Sequence, residues 1–191
     1  HPMTLAREMA LESEYVMGTF ARKPVEFVEG HGMTLIDDAG NEYLDFLSGI
    51  GVCSLGHCHP SIVQAVSDQA AKLIHVSNYY YIEHRGEVAQ LLSNMLNAYV
   101  DEPSPETWKT FFANSGAEAN ECAIKLARLY ARRRTEAAGK DAELAPRLIV
   151  TLAKSFHGRT LATLAATAQP AGVFAGLLPA AVVMFSAAAS Q

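Results

Sequence analysis

The strongest constraint on this chain is the passage Ser115-Gly116-Ala117-Glu118-Ala119-Asn120-Glu121, where an apolar run gives way to a long amphipathic stretch. Trp108 to Ala113 reads as a strand. Ala117 to Arg134 sets Ala119, Cys122, Ala123, Leu126, Ala127 and Tyr130 on one stripe at helical spacing, so a helix is expected there. The turn between them aims backbone N–H groups outward from a helix N-terminus. Those amides and the positive end of the helix dipole favour an anion, and Gly116 and Ala117 are small enough to let a phosphate come close. Ser115 followed three residues later by Glu118 also fits an ordinary capping box, and the local pattern leaves both readings open.

A second block repeats the arrangement. Arg147 to Leu152 is a short β-branched strand candidate that leads into Ala153-Lys154-Ser155-Phe156-His157-Gly158-Arg159-Thr160. In open α/β sheets ligands bind at the carboxyl ends of strands, so both blocks can face one crevice. The flat ring of Phe156 suits a flat ligand, and the planar guanidinium of Arg159 suits a carboxylate gripped through two parallel hydrogen bonds. Taken alone, Phe156 reads more readily as core and Arg159 as a surface charge.

Further upstream, Met33 to Asp37 and Glu42 to Phe46 are short extended runs around a hairpin turn at Asp38-Ala39-Gly40-Asn41. Ser48 to Leu55 is then a glycine-rich loop. Pro60 opens a helix whose buried stripe is expected to be Ile62, Val63, Val66, Ala70 and Leu73. Other helices are expected over Thr4 to Met17 and Arg85 to Leu96, and Thr135 to Ala145 reads as a polar loop. Val182 to Phe185 reads as one more strand.

A chain of 191 residues, 50% hydrophobic and with a net charge of −5, can bury a substantial core. No uninterrupted apolar stretch reaches transmembrane length, and the first residues lack the apolar stretch of a signal peptide. Mild acidity argues against nucleic acid. The one dense basic cluster, Arg132-Arg133-Arg134, falls at a helix C-terminus, where it complements the dipole. Three cysteines, Cys53, Cys58 and Cys122, fit a reducing cytoplasm better than a disulfide framework. Cys53, His57, Cys58 and His59 match no zinc spacing, so no metal site is expected.

Together, Ser115 to Glu121, Phe156 to Thr160 and the run from Gly40 through Gly49-Ile50-Gly51 to Pro60 resemble the class III aminotransferases, acetylornithine branch. The resemblance implies a pyridoxal-phosphate enzyme of fold type I, an α/β fold present here in part. Residues 1–75 would join the small domain and 76–191 form an incomplete, doubly wound large domain. It further implies that Ser115, Gly116 and Ala117 hold the cofactor phosphate, that Phe156 stacks on its ring with His157 beside it, and that Arg159 binds a substrate carboxylate. Ile50 stands where related ornithine enzymes carry a tyrosine that meets the free α-amino group. An apolar residue there suits an acylated amine. The implied reaction moves the δ-amino group of N2-acetylornithine to 2-oxoglutarate, in arginine biosynthesis, in a cytoplasmic homodimer. Ornithine or 4-aminobutyrate aminotransferase is the alternative within the class.

The family's Schiff-base lysine belongs to a downstream motif. Lys23, Lys72, Lys109, Lys125, Lys140 and Lys154 do not match that motif. No catalytic residue is therefore expected among these 191, and the chain is expected to be inactive alone. A non-catalytic phosphate- or protein-binding fragment is the alternative of another class.

Overall fold

A computed structural model describes residues 4–100, 107–152 and 155–167, together with the backbone of 182–185. Lys154, the stretch from Ala168 to Ala181 and the final Ser186 to Gln191 lie outside the described residues. The chain divides into two compact units, residues 1–81 and 82–191. The first contains α1 (Leu5–Tyr15), β1 (Phe27–His31), β2 (Thr34–Asp37), β3 (Glu42–Leu44), the single turn α2 (Ser48–Gly51) and α3 (Pro60–Lys72). The second contains α4 (Arg85–Ala98), α5 (Gly116–Ala137), a 3-10 turn at Ala142–Leu144, β4 (Ile149–Leu152), α6 (Leu161–Ala166) and β5 (Val182–Phe185).

The first unit is built on an antiparallel sheet in the order β1-β2-β3. The expected hairpin is β2–β3, with Thr34 opposite Leu44 and Ile36 opposite Glu42. Its turn is closed by one side chain. The Asp37 carboxylate accepts from the Ala39 and Asn41 N–H groups through Oδ1, at 3.0 and 2.8 Å, and from Asn41 Nδ2 and the Tyr43 hydroxyl through Oδ2, both at 2.9 Å. Gly40 takes φ 82°, a left-handed position that costs glycine nothing. Strand β1 has no apolar alternation to announce it. It is held by its ladder to β2 and by the edge of Phe27 on the Tyr43 ring, 5.3 Å between centroids.

Helix α3 starts at Pro60 as expected, because the first turn needs no donor from the ring nitrogen. Its apolar stripe is not buried: Ile62, Val63 and Val66 are 50, 48 and 63% exposed. The same holds for α4, whose one buried residue is Ser93. A hydrophobic stripe states which face needs cover, not that cover is present.

In the second unit, α5 runs 22 residues, three beyond Arg134 into the stretch read as loop. The stripe through Leu126 and Tyr130 is exposed. The better-covered side runs through Ala117, Asn120, Glu121 and Ile124, because α6 packs beside the first turns of α5. Trp108 to Ala113 is not a strand: no ladder pairs it among the described residues, and Phe111 is 64% exposed. Strand β4 pairs in parallel with β5, Ile149 opposite Val182 through Leu152 opposite Phe185, with α6 in the crossover. Sequence reading missed α6, which has six residues and no charged face. It contributes Ala165 and Ala166, which with Ala145 make up the buried hydrophobic residues among those described.

Candidate functional site

Ser115 is extended, φ −158° and ψ 164°, and caps α5 by accepting the Glu118 N–H on Oγ at 3.2 Å. Its carbonyl accepts the Ala119 N–H at 3.0 Å. The reciprocal half of the capping box does not form. Glu118 reaches one residue further back, accepting from the Asn114 N–H at 2.8 Å and from Asn114 Nδ2 at 3.0 Å. The first-turn amides with no intrahelical acceptor are therefore those of Gly116 and Ala117. A Cβ built at Gly116 would meet nothing within 4 Å. Two convergent N–H donors at the positive end of a 22-residue helix, with open space beside them, fit an anion such as a phosphate. A capping serine and an anion grip are thus compatible on one turn.

The second block lies against this turn. After β4, the segment 155–160 carries Phe156, His157 and Arg159, and it is tied to two helices. From α5, Asn120 Nδ2 donates to the His157 carbonyl at 2.9 Å, and Glu121 accepts from the Thr160 hydroxyl. From the α6 side, Thr167 Oγ1 accepts the His157 N–H at 3.0 Å, and Thr163 Oγ1 accepts the Thr160 N–H at 3.0 Å. Thr163 is fully buried. The closest approach is at Gly158, φ 127°, where an added Cβ would lie 2.6 Å from Ala117 Cβ and 2.7 Å from Thr163 Oγ1. Blocks forty residues apart therefore meet at the helix turn itself.

The side chains with expected roles lie on this segment. Phe156 is 57% exposed, and the Arg159 guanidinium lies over its ring, 5.6 Å from the centroid. His157 is half-buried, its Nε2 3.1 Å from Ser155 Oγ. A groove of about 260 Å³ runs behind the segment between Ala123 and Ala127 of α5 and Ile149 to Thr151 of β4. Asn120, Glu121, Thr163 and Thr167 are the hydrogen-bonding neighbours of this segment that sequence reading missed. Thr160-x-x-Thr163 carried the signal of a helix start, and Asn120 and Glu121 lay in the quoted motif without a role.

Ile50 belongs to the other unit. It sits in α2, where Ser48, Gly49, Ile50 and Gly51 all have positive φ, and it is 83% exposed. Below it, Asp45 is held under the ordinary carboxylate range first by His57 and then by the Ser48 and Leu47 N–H groups. Cys53, Cys58 and Cys122 are free thiols. Among the described residues no three His, Cys, Asp or Glu side chains converge as metal ligands, and no helix is long and apolar enough to cross a membrane.

Comparison with known proteins gives this geometry its family. The model of the class-III aminotransferases matches residues 19–191. Acetylornithine aminotransferase of Nitrosomonas europaea is 49% identical over 153 residues, 80% of this chain and 35% of the relative, and that of Synechocystis sp. is 49% identical over 156 residues, 82% and 33%. Among solved structures, ornithine aminotransferase of Toxoplasma gondii superposes with a TM-score of 0.76 at 26% identity, over 97% of this chain and 40% of that one. Acetylornithine aminotransferase of Elizabethkingia anophelis gives 0.64 at 30%, over 80% and 36%. The chain thus spans about a third of the length of the curated relatives it matches. With the shared fold over nearly its whole length and the family model over residues 19–191, the chain belongs to the class-III aminotransferases.

Proposed function

We propose that this chain is the phosphate- and carboxylate-gripping portion of a pyridoxal-phosphate-dependent acetylornithine aminotransferase, one that moves the δ-amino group of N2-acetylornithine to 2-oxoglutarate. The observation that carries the reading is the meeting of the two blocks at Gly158 and Ala117, beside the two amides of the α5 turn. The Gly116 and Ala117 N–H groups and the Ser115 end of the helix hold the cofactor phosphate. Phe156 offers a flat face to its ring with His157 alongside, and Arg159 grips the α-carboxylate of the amino donor or that of the dicarboxylate partner. When bound, the pyridoxal ring supplies the electron sink for the transfer. By the resemblance, the lysine that completes such a site belongs to a motif downstream of the Phe156 to Thr160 block.

The substrate assignment draws on relatives named acetylornithine aminotransferase at 44 to 49% identity, and on the apolar side chain at Ile50. Exclusion of a free ammonium needs only a pocket wall that offers it no partner. The exposed apolar faces of α3 and α4 support a homodimer, and the free thiols support a cytoplasmic setting. Ornithine aminotransferase is the second reading, favoured by the T. gondii superposition.

The test is the rate ratio in a version extended to the length of its relatives. The proposal expects kcat/KM on N2-acetylornithine to exceed that on ornithine at least tenfold. A preference for free ornithine moves the assignment to the second reading, and no transamination with either donor leaves a non-catalytic binding fragment.

A further inference from the structure

Four consecutive residues, Ser48 to Gly51, have φ of 50, 62, 65 and 77°. Glycine accepts such values freely, but Ser48 does not, and a β-branched residue at φ 65°, as at Ile50, is an outlier that persists only where the surroundings impose it. The restraint is visible. Asp45 Oδ1 accepts the N–H groups of Leu47 and Ser48 at 2.8 and 2.9 Å, and Oδ2 takes the His57 Nε2–H at 2.7 Å. His57 is itself pinned to the sheet turn by two backbone bonds with Gly32, 2.7 and 3.0 Å, and the Asp45 N–H donates to Met33 O at 2.8 Å. At Gly56, φ 85°, an added Cβ would lie 2.8 Å from Gly32 O, so the loop presses on that turn with no room for a side chain. The Asp45 and His57 side chains are only 8 and 20% exposed, while the Ile50 they support is 83% exposed. Packing does not account for a strained isoleucine held out into solvent by a largely buried charge-assisted pair.

We propose that Asp45 and His57 are positioning residues that hold the left-handed Ser48–Gly51 turn and so present Ile50 as the wall that selects an acylated over a free amine. This rests on the reading of Ile50 given under the proposed function. Neither residue touches the substrate; His57 fixes Asp45, Asp45 fixes the Leu47 and Ser48 amides, and those fix Ile50.

Amide hydrogen exchange on the 191-residue chain tests the clamp. H57A speeds exchange at Leu47 and Ser48 at least tenfold, whereas H57Q, whose Nε2 can still donate to Asp45, stays within about threefold of the parent. I50G keeps the protection and raises the thermal midpoint, since glycine carries no strain at this φ. Unchanged exchange in H57A, or no rescue by H57Q, overturns the clamp. In the version extended to the length of its relatives, H57A lowers the kcat/KM ratio of acetylated to free ornithine at least tenfold, mostly through KM, and H57Q restores it. Faster exchange with an unchanged ratio overturns the selectivity role through the reading of Ile50, and leaves the clamp itself demonstrated.

Discussion

At Gly158 a methyl group has nowhere to go: the chain is left-handed there and Ala117 Cβ and Thr163 Oγ1 would both be nearer than any normal contact. Thr163 is fully buried and bonded to Thr160, so it cannot yield cheaply. G158A should therefore destabilise the second unit by about 2 kcal/mol or more, the usual cost of overpacking, read from urea unfolding. G116A is the informative contrast. Its Cβ meets open space and alanine favours the helix, so stability should be unchanged or slightly raised. The same methyl stands beside the Gly116 and Ala117 amides, so binding of phosphate should weaken at least tenfold, read by titration with pyridoxal phosphate. A loss of stability in G116A with binding intact would contradict this division of roles. The helix start was legible in sequence because a capping serine ahead of an amphipathic stripe marks it. The contact between Ala117 and Gly158 was not, since no spacing reports a meeting forty residues apart.

Among the elements, the β2–β3 hairpin was the most legible, and one carboxylate explains why. Four donors converge on Asp37, and its Asn41 side-chain bond is the first cause that holds its pKa below the ordinary value. The sign follows from that depression. The carboxylate's contribution is complete above about pH 4 and is lost as pH falls through the folded-state value, because the unfolded chain takes up its proton first. Glu26 runs the other way: burial first, then Asp38 and Glu8, raise its pKa, so its share of stability falls as pH rises through the folded value. The amide shifts of Ala39 and Asn41 should titrate together with an inflection below pH 3.9. D37N should abolish it, and an inflection at or above the ordinary aspartate value would contradict the cage. Trp108 to Ala113 failed where the hairpin succeeded. An apolar β-forming run needs a neighbour to become a strand, and none of the described residues pairs with it. Helix α5 needed no such help, because Ser115 supplies a cap and its length sustains the ladder.

For the molecule as a whole, half the residues are hydrophobic, yet Ile62, Val66, Leu91, Met95, Phe111, Leu126 and Tyr130 are each between 49 and 64% exposed. Sequence periodicity named the stripe through Ile62 and Val66 as buried, and the structure leaves it and the other residues open in a chain that spans about a third of its curated relatives. Apolar area of this extent seeks cover. The purified chain should bind a hydrophobic dye far more strongly than a globular protein of its size and should associate at micromolar concentration, as light scattering would register; a dye-silent monomer would contradict the exposure described. The central claim, that the α5 turn grips a cofactor phosphate while the Phe156 to Arg159 segment lies against it, is tested most directly by amide hydrogen exchange with three ligands at millimolar concentration. Pyridoxal phosphate and inorganic phosphate should both slow exchange at Gly116 and Ala117, pyridoxal without the phosphate should not, and only pyridoxal phosphate should also protect the backbone of 156–159. Equal protection by pyridoxal, or none by any of the three, would contradict it.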